Sequence, residues 1–257
     1  HLAGRPCEMK IIMTIAKTYN LKVIEDAAHA TESYYDGNKI GNIGDVTCFS
    51  FYVTKNIVTG EGGMLTTNNS EIAEMVRTRS LHGISKDAWN RFSEKGYSHY
   101  ETKYPGYKYN MIDIQASLGI HQLKRVDESL LIRNKHWDQY NQAFKNLEEI
   151  DIPLEQENII HARHLYTIIL RLKTLKINRD QFMIELKNRN IGSGIHYTAV
   201  HLHDYYKRKY LYKKTDFPNS EWVSERTLSL PLSPKISSKD ITDVITAVLD
   251  IIKKYKI

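Results

Sequence analysis

Leu21-Lys22-Val23-Ile24-Glu25-Asp26 is a short apolar run that ends in two acids. A helical pattern precedes it, with Met9, Ile12, Met13 and Ala16 recurring at helical spacing between Glu8 and Asn20. Downstream, Val46 to Tyr52 reads as a second strand, and Gly63 to Thr67 as a third that follows a glycine-rich turn. Residues 70–81 are predicted helical, with Asn69 or Ser70 as the cap. Helices alternating with short buried strands define an α/β layer with mostly parallel sheet. In such sheets ligands bind beyond the carboxyl ends of the strands, and Asp26 stands at one of those ends.

Further along, residues 82–109 form a loop-like stretch rich in aromatic and charged side chains, and long loops in compact domains are often functional. From Met111 to about Leu147 runs one long helical pattern, expected to bend or break near 127–133 and to bridge to a second domain. The remainder reads as a smaller α+β unit. It has a strand over 164–172, a helix over 179–189, a loop over 191–197 leading into a strand, and helices over 218–228 and 239–255. The expected division is 1–133 for a large ligand-binding domain and 134–257 for the C-terminal domain.

Composition narrows the function. No apolar run approaches the ~18 residues of a membrane span. The two cysteines, Cys7 and Cys48, exclude a disulfide framework and a four-cysteine zinc site, and they fit a reducing cytoplasm. The net charge of +6 fits either a lysine-rich solvated surface or a basic site for a phosphorylated ligand. Nucleic acid is not an expected partner, because the basic residues are spread along the chain without a recognition motif.

Lys55 is the centre of the chemical reading. It lies in Phe49-Ser50-Phe51-Tyr52-Val53-Thr54-Lys55-Asn56, just before Thr59-Gly60-Glu61-Gly62-Gly63. A lone lysine is most often a surface charge. This one sits between an apolar strand and a glycine turn, where little side chain shields it from a bound ligand. A lysine with a lowered pKa can form a Schiff base with an aldehyde cofactor. Asp26 can pair with a protonated pyridine nitrogen or simply cap a turn. His29 can donate to a phenolic oxygen or be a satisfied core histidine. Ser50 can bind a phosphate or be an ordinary strand serine. His196, His201 and His203 lack a cysteine partner and an i, i+4 pair on a clear helix, so no metal site is expected.

Taken in order, these segments resemble one family. Val23-Ile24-Glu25-Asp26-Ala27-Ala28-His29-Ala30, Gly41-Asn42-Ile43-Gly44-Asp45, Phe49-Ser50-Phe51, Lys55-Asn56 and Gly60-Glu61-Gly62-Gly63-Met64 resemble the DegT/DnrJ/StrS sugar-nucleotide aminotransferases. His1-Leu2-Ala3-Gly4-Arg5-Pro6, Leu81-His82-Gly83, Pro105-Gly106-Tyr107-Lys108-Tyr109-Asn110, Asp113 to Gly119, His196-Tyr197, His201-Leu202-His203 and Ser229-Leu230-Pro231-Leu232 extend the resemblance over essentially the whole chain.

The resemblance implies the type I fold of pyridoxal-phosphate (PLP) transferases, with an incomplete large domain and a smaller C-terminal α+β domain. It also implies a homodimer with shared active sites. By it, Lys55 matches the Schiff-base lysine, Asp26 the partner of the pyridine nitrogen, His29 the residue beside the ring's O3′ and Ser50 a phosphate ligand. Dehydratase relatives carry histidine at the lysine position, so Lys55 points to transamination. Many members read Gly-Tyr-Asn-Tyr-Arg where this chain has Gly106-Tyr107-Lys108-Tyr109-Asn110. Lys108 or Asn110 is then expected to reach the neighbouring subunit's cofactor phosphate, and the Lys form points to 4-keto sugar nucleotides. His196, Tyr197 and His201 fall at the sugar-nucleotide pocket. Tyr205-Tyr206 with Lys207, Arg208 and Lys209 reads either as a diphosphate surface or as a solvated helix. Roughly the first third of the family's length is expected upstream, with an aromatic that stacks on the ring and N–H donors for the phosphate. The expected reaction moves an amino group from an amino acid, glutamate, to a nucleotide-linked keto sugar. The rival expectation is a non-catalytic relative that binds PLP or a sugar nucleotide for regulation.

Overall fold

The computed structural model describes residues 1–84 and 101–257. Its strands are β1 (Ile24–Asp26), β2 (Tyr34–Tyr35), β3 (Asn38–Lys39), β4 (Val46–Ser50), β5 (Gly63–Thr66), β6 (Ile150–Asp151), β7 (Ile159–Ile160), β8 (Tyr166–Leu170) and β9 (Thr227–Leu230). Its helices are α1 (Met9–Thr18), α2 (Ser70–Ser80), α3 (Asp113–Lys124), α4 (Val126–Phe144), α5 (Arg179–Lys187), α6 (Asp204–Tyr210), α7 (Pro218–Ser224) and α8 (Ser238–Tyr255). The chain divides into two compact units, His1–Val126 with Asn158–Ala162, and Asp127–Glu157 with Arg163–Ile257.

In the first unit, β1 pairs in parallel with β4, placing Asp26 opposite Cys48. β5 returns antiparallel to β4, so that Ser50 faces Gly63. The 51–62 connection contains no helix, and a helical crossover is the usual means of bringing two consecutive strands into parallel register. A second small sheet has the order β3-β2-β7 and forms around the tight turn at Asp36 and Gly37, both with positive φ. The sequence reading missed it because two-residue strands carry no periodicity. Met9, Ala27, Ala30, Tyr35 and Ile40 form the apolar cluster of this unit. Asn69 caps α2 as expected, its Oδ1 accepting from the N–H groups of Glu71 and Ile72.

In the second unit, β6-β8-β9 form an antiparallel sheet covered by α4, α5 and α8 side chains. Tyr166, Ile168 and Leu170 alternate inward along β8 and meet Trp137, Tyr140 and Phe144 of α4. α8 contributes Ile241, Val244, Val248, Ile251 and Ile252, spaced as one face of a helix.

Three expectations need correction. The helix read over 218–228 stops at Ser224, and Thr227–Leu230 forms β9. All four residues of this Thr-Leu-Ser-Leu strand are buried, and its polar–apolar alternation is too short to stand out beside the helical pattern before it. The helical pattern from Met111 breaks at Arg125, ahead of 127–133. The strand expected after 191–197 does not form: Val200–Leu202 is a 3-10 turn, and the loop itself makes one bridge, Gly194 to Ser229. Of the loop read over 82–109, residues 85–100 lie outside those described; the flanks are tied by bridges between Leu81 and Lys108 and between Ile84 and Thr102.

Candidate active site

Glu25 and Asp26 show how the backbone sorts two adjacent acids. On a strand, neighbouring side chains point to opposite faces. Glu25 turns inward and is buried, while Asp26 is exposed. The Glu25 carboxylate accepts from Gly44 N (2.7 Å), Thr47 Oγ1 (2.8 Å) and His1 Nε2 (2.8 Å). Burial alone would raise its pKa, but these donors outweigh that and hold it below the ordinary carboxylate value. Gly44 is required here because a Cβ would lie 2.9 Å from Glu25 Oε1. Glu25 thereby clamps β1 to the turn before β4 and leaves Asp26 facing the carboxyl end of the parallel pair. Asp26 Oδ1 accepts from Ala28 N at 3.0 Å, and Ala27 N donates to Cys48 O at 2.8 Å.

Lys55 reaches the same region from the 51–62 loop. That loop is closed by Phe51 N to Gly62 O (2.8 Å) and Thr59 N to Phe51 O (3.0 Å), and Lys55 N donates to Tyr52 O (2.9 Å). Burial holds the Lys55 ammonium below the ordinary lysine pKa, and the nearby Asp26 carboxylate offsets this only in part. Burial, with Asp26 beside it, also pushes the Cys48 thiol up. The structure thus gathers Asp26, Cys48 and Lys55 around one carboxylate.

His29 Nδ1 accepts from Ala3 N at 3.1 Å, so a neutral ring carries its proton on Nε2. Ser50 Oγ accepts from Tyr52 N at 3.3 Å, which directs the hydroxyl hydrogen elsewhere. A carboxylate for a protonated ring nitrogen, an N–H for a phenolic oxygen, a hydroxyl for a phosphate and an amine of lowered pKa fit the PLP donor and acceptor set. Lys108 Nζ donates to Asn110 Oδ1, so these two residues act as one exposed polar pair in the first unit.

The remaining expected site residues lie in the second unit. His196 Nδ1 meets Ser229 Oγ at 2.8 Å, and Gly194 leaves room for the ring, since a Cβ there would lie 2.8 Å from His196 Cε1. Tyr197 is exposed. His201 is buried: its Nε2 donates to Glu221 Oε1 at 2.9 Å, and its ring packs on Phe217 (4.9 Å). Thr215 N also donates to Glu221. His201 therefore braces the 199–221 segment from inside. Residues 204–210 form the solvated helix α6, exposed along its length.

The model of the DegT/DnrJ/EryC1/StrS aminotransferase family matches residues 1–249. The chain belongs to that family, whose members are PLP-dependent enzymes of fold type I. It is 52% identical over its whole length to Uncharacterized protein MJ1066 of Methanocaldococcus jannaschii, covering 66% of that protein. It is 46% identical to the spore coat polysaccharide biosynthesis protein SpsC of Bacillus subtilis, over 98% of this chain and 65% of SpsC. Among solved structures, Spr1654 from Streptococcus pneumoniae in its PMP form superposes with a TM-score of 0.89 at 30% identity, over 98% of this chain and 68% of that one. The chain spans just under two thirds of the length of MJ1066 and of SpsC.

Proposed function

We propose that this chain carries the cofactor-holding part of an aminotransferase that moves an amino group from an amino acid, glutamate, to a nucleotide-linked 4-keto sugar for polysaccharide biosynthesis. The observation that carries the proposal is Lys55, an amine of lowered pKa beside Asp26 at the carboxyl end of a parallel strand pair. PLP, when bound, supplies the electron sink that makes the donor's Cα–H acidic. Lys55 would hold the cofactor and, once released, would take the donor's Cα proton on Nζ and deliver it to the cofactor rather than back to Cα. A depressed pKa serves both steps, because more of the amine is unprotonated near neutrality.

Asp26 would keep the ring nitrogen protonated, His29 Nε2–H would donate to the phenolic oxygen, and Ser50 would donate to the phosphate. Lys108 or Asn110 would reach the phosphate of a second subunit in a homodimer. His196, Tyr197 and His201 belong to the sugar-nucleotide side of the site, with His201 held from inside by Glu221. SpsC, a polysaccharide biosynthesis protein by name, supports the assignment to surface glycan synthesis. The test is amine transfer from glutamate to dTDP- or UDP-linked 4-keto sugars by the full-length protein, followed by mass spectrometry of the sugar nucleotide. Aminated product is expected. Cofactor binding without product from any of these acceptors would favour a regulatory binding role instead.

A further inference from the structure

Asn56, the residue after Lys55, is half-buried, and its side chain is tied at two points. Its Nδ2 donates to Glu32 Oε2 (2.9 Å) and to the carbonyl of Ala162 (3.1 Å). An amide nitrogen has two hydrogens, and both have acceptors here. The two acceptors come from different parts of the first unit, Glu32 from the β1–β2 connection and Ala162 from just beyond β7.

Both anchors are themselves immobile. Glu32 is 1% exposed, and Ala162 is fully buried. Ala162 N donates to Gly4 O (2.9 Å) and contacts Ser33 Oγ (3.2 Å), which in turn donates to Gly4 O (2.7 Å). A carboxyl group buried to this degree is costly unless it is hydrogen-bonded, so its retention beside the loop of Lys55 calls for an explanation. The bond from Asn56 is one of the contacts that satisfy the Glu32 carboxyl.

One planar peptide unit joins Lys55 and Asn56, so anchoring the Asn56 side chain restrains the backbone from which the Lys55 side chain leaves the loop. Nothing else in the 52–58 turn does this from outside the loop among the described hydrogen bonds: the Lys55 N to Tyr52 O bond is internal to it. We infer that Glu32 and Asn56 are positioning residues, a buried carboxyl–amide clamp that aims Lys55 at the Asp26 side of the sheet. The inference rests on Lys55 being the cofactor lysine.

The experiment uses the full-length holoenzyme and the variants N56A, N56S, E32A and E32Q. Three quantities are read: which residue retains the cofactor after borohydride reduction and peptide mapping, the visible circular dichroism of the bound cofactor at equal occupancy, and kcat and KM for glutamate. In N56A, N56S and E32A the cofactor is expected to remain on Lys55, while its induced ellipticity falls by half or more. A misplacement of about 1 Å can cost on the order of a hundredfold in rate, so kcat should fall by about 10- to 100-fold with KM for glutamate little changed. E32Q keeps an acceptor oxygen and should restore kcat to within about threefold of wild type. If E32A does not fold, the two Asn56 variants and E32Q decide the matter. Wild-type ellipticity and kcat in folded N56A and N56S would overturn the clamp while leaving the assignment of Lys55 intact. A wild-type protein with no cofactor on Lys55 would overturn both.

Discussion

The two units are stabilised by different means. The second is built on a large apolar core in which Trp137, Tyr140, Phe144 and Tyr166 meet ring to ring, at 4.7 Å between Trp137 and Tyr166 and between Tyr140 and Tyr166. Its polar groups serve that core: Tyr140 OH donates to Pro231 O, and Arg163 pairs with Glu155 while lying over Trp137. The first unit has a small described core and is held by directed bonds, Glu25 to Gly44 and Thr47, Ser33 to Gly4, and Asn56 to Glu32. Dispersion and hydrophobic burial tolerate small shifts, whereas hydrogen bonds fix direction.

The sharpest test of this contrast is Lys55→Ala. Amine transfer in a single turnover with glutamate should fall by at least about ten-thousandfold, with an unchanged unfolding curve, because catalysis and stability reside in different groups. Activity near wild type would place the nucleophile elsewhere.

Phe144→Ala should produce the reverse pattern. Removing a fully buried ring costs about 3–5 kcal/mol, visible as a lower urea midpoint, with kcat retained by the molecules still folded. A stability change near zero would show that the aromatic core is not what holds the second unit.

Asp26→Asn keeps the shape and removes the charge. Exchange of the glutamate Cα–H with solvent deuterium should slow by about a hundredfold while the cofactor stays bound, since Lys55 still holds it. An unchanged exchange rate would mean Asp26 is only a turn acid. Gly44→Ala probes the directional network more gently. The added Cβ must displace the Glu25 carboxylate, and a loss of about 1–3 kcal/mol is expected in denaturant unfolding.

The smallest effect concerns pH. The His201 hydrogen bond, more than the opposing burial, holds the Glu221 carboxyl below the ordinary value. A carboxyl depressed in the folded state adds stability above its unfolded pKa, near 4.5, and that increment disappears as pH falls through the folded value. Wild type should therefore lose stability on acidification below about pH 5 more steeply than Glu221→Gln. Parallel curves would remove His201–Glu221 as the brace of the 199–221 segment.

The legible parts of the sequence were those with a strong local signal. A cap at Asn69 or Ser70, a helix over 239–255 and the strand–lysine–glycine order around Lys55 could all be read directly. β9 could not, because two leucines alternating with Thr227 and Ser229 are too short a signal to mark a strand. Nor could the burial of His201, whose exposure depends on Glu221, twenty residues away. Glu32 carried no signal either, since an acid between Thr31 and Ser33 looks like any loop acid until Asn56 is folded against it.

By itself the sequence determined the family, the α/β class, the cofactor and the order of Asp26, His29, Ser50 and Lys55, because residue type and spacing are properties of the chain. Tertiary structure alone decided which of two adjacent acids faces the site, which histidine is buried, and that Glu32 and Ala162 grip Asn56. Those outcomes depend on partners far apart in sequence, and a hydrogen bond between distant residues leaves no trace in the local pattern of either.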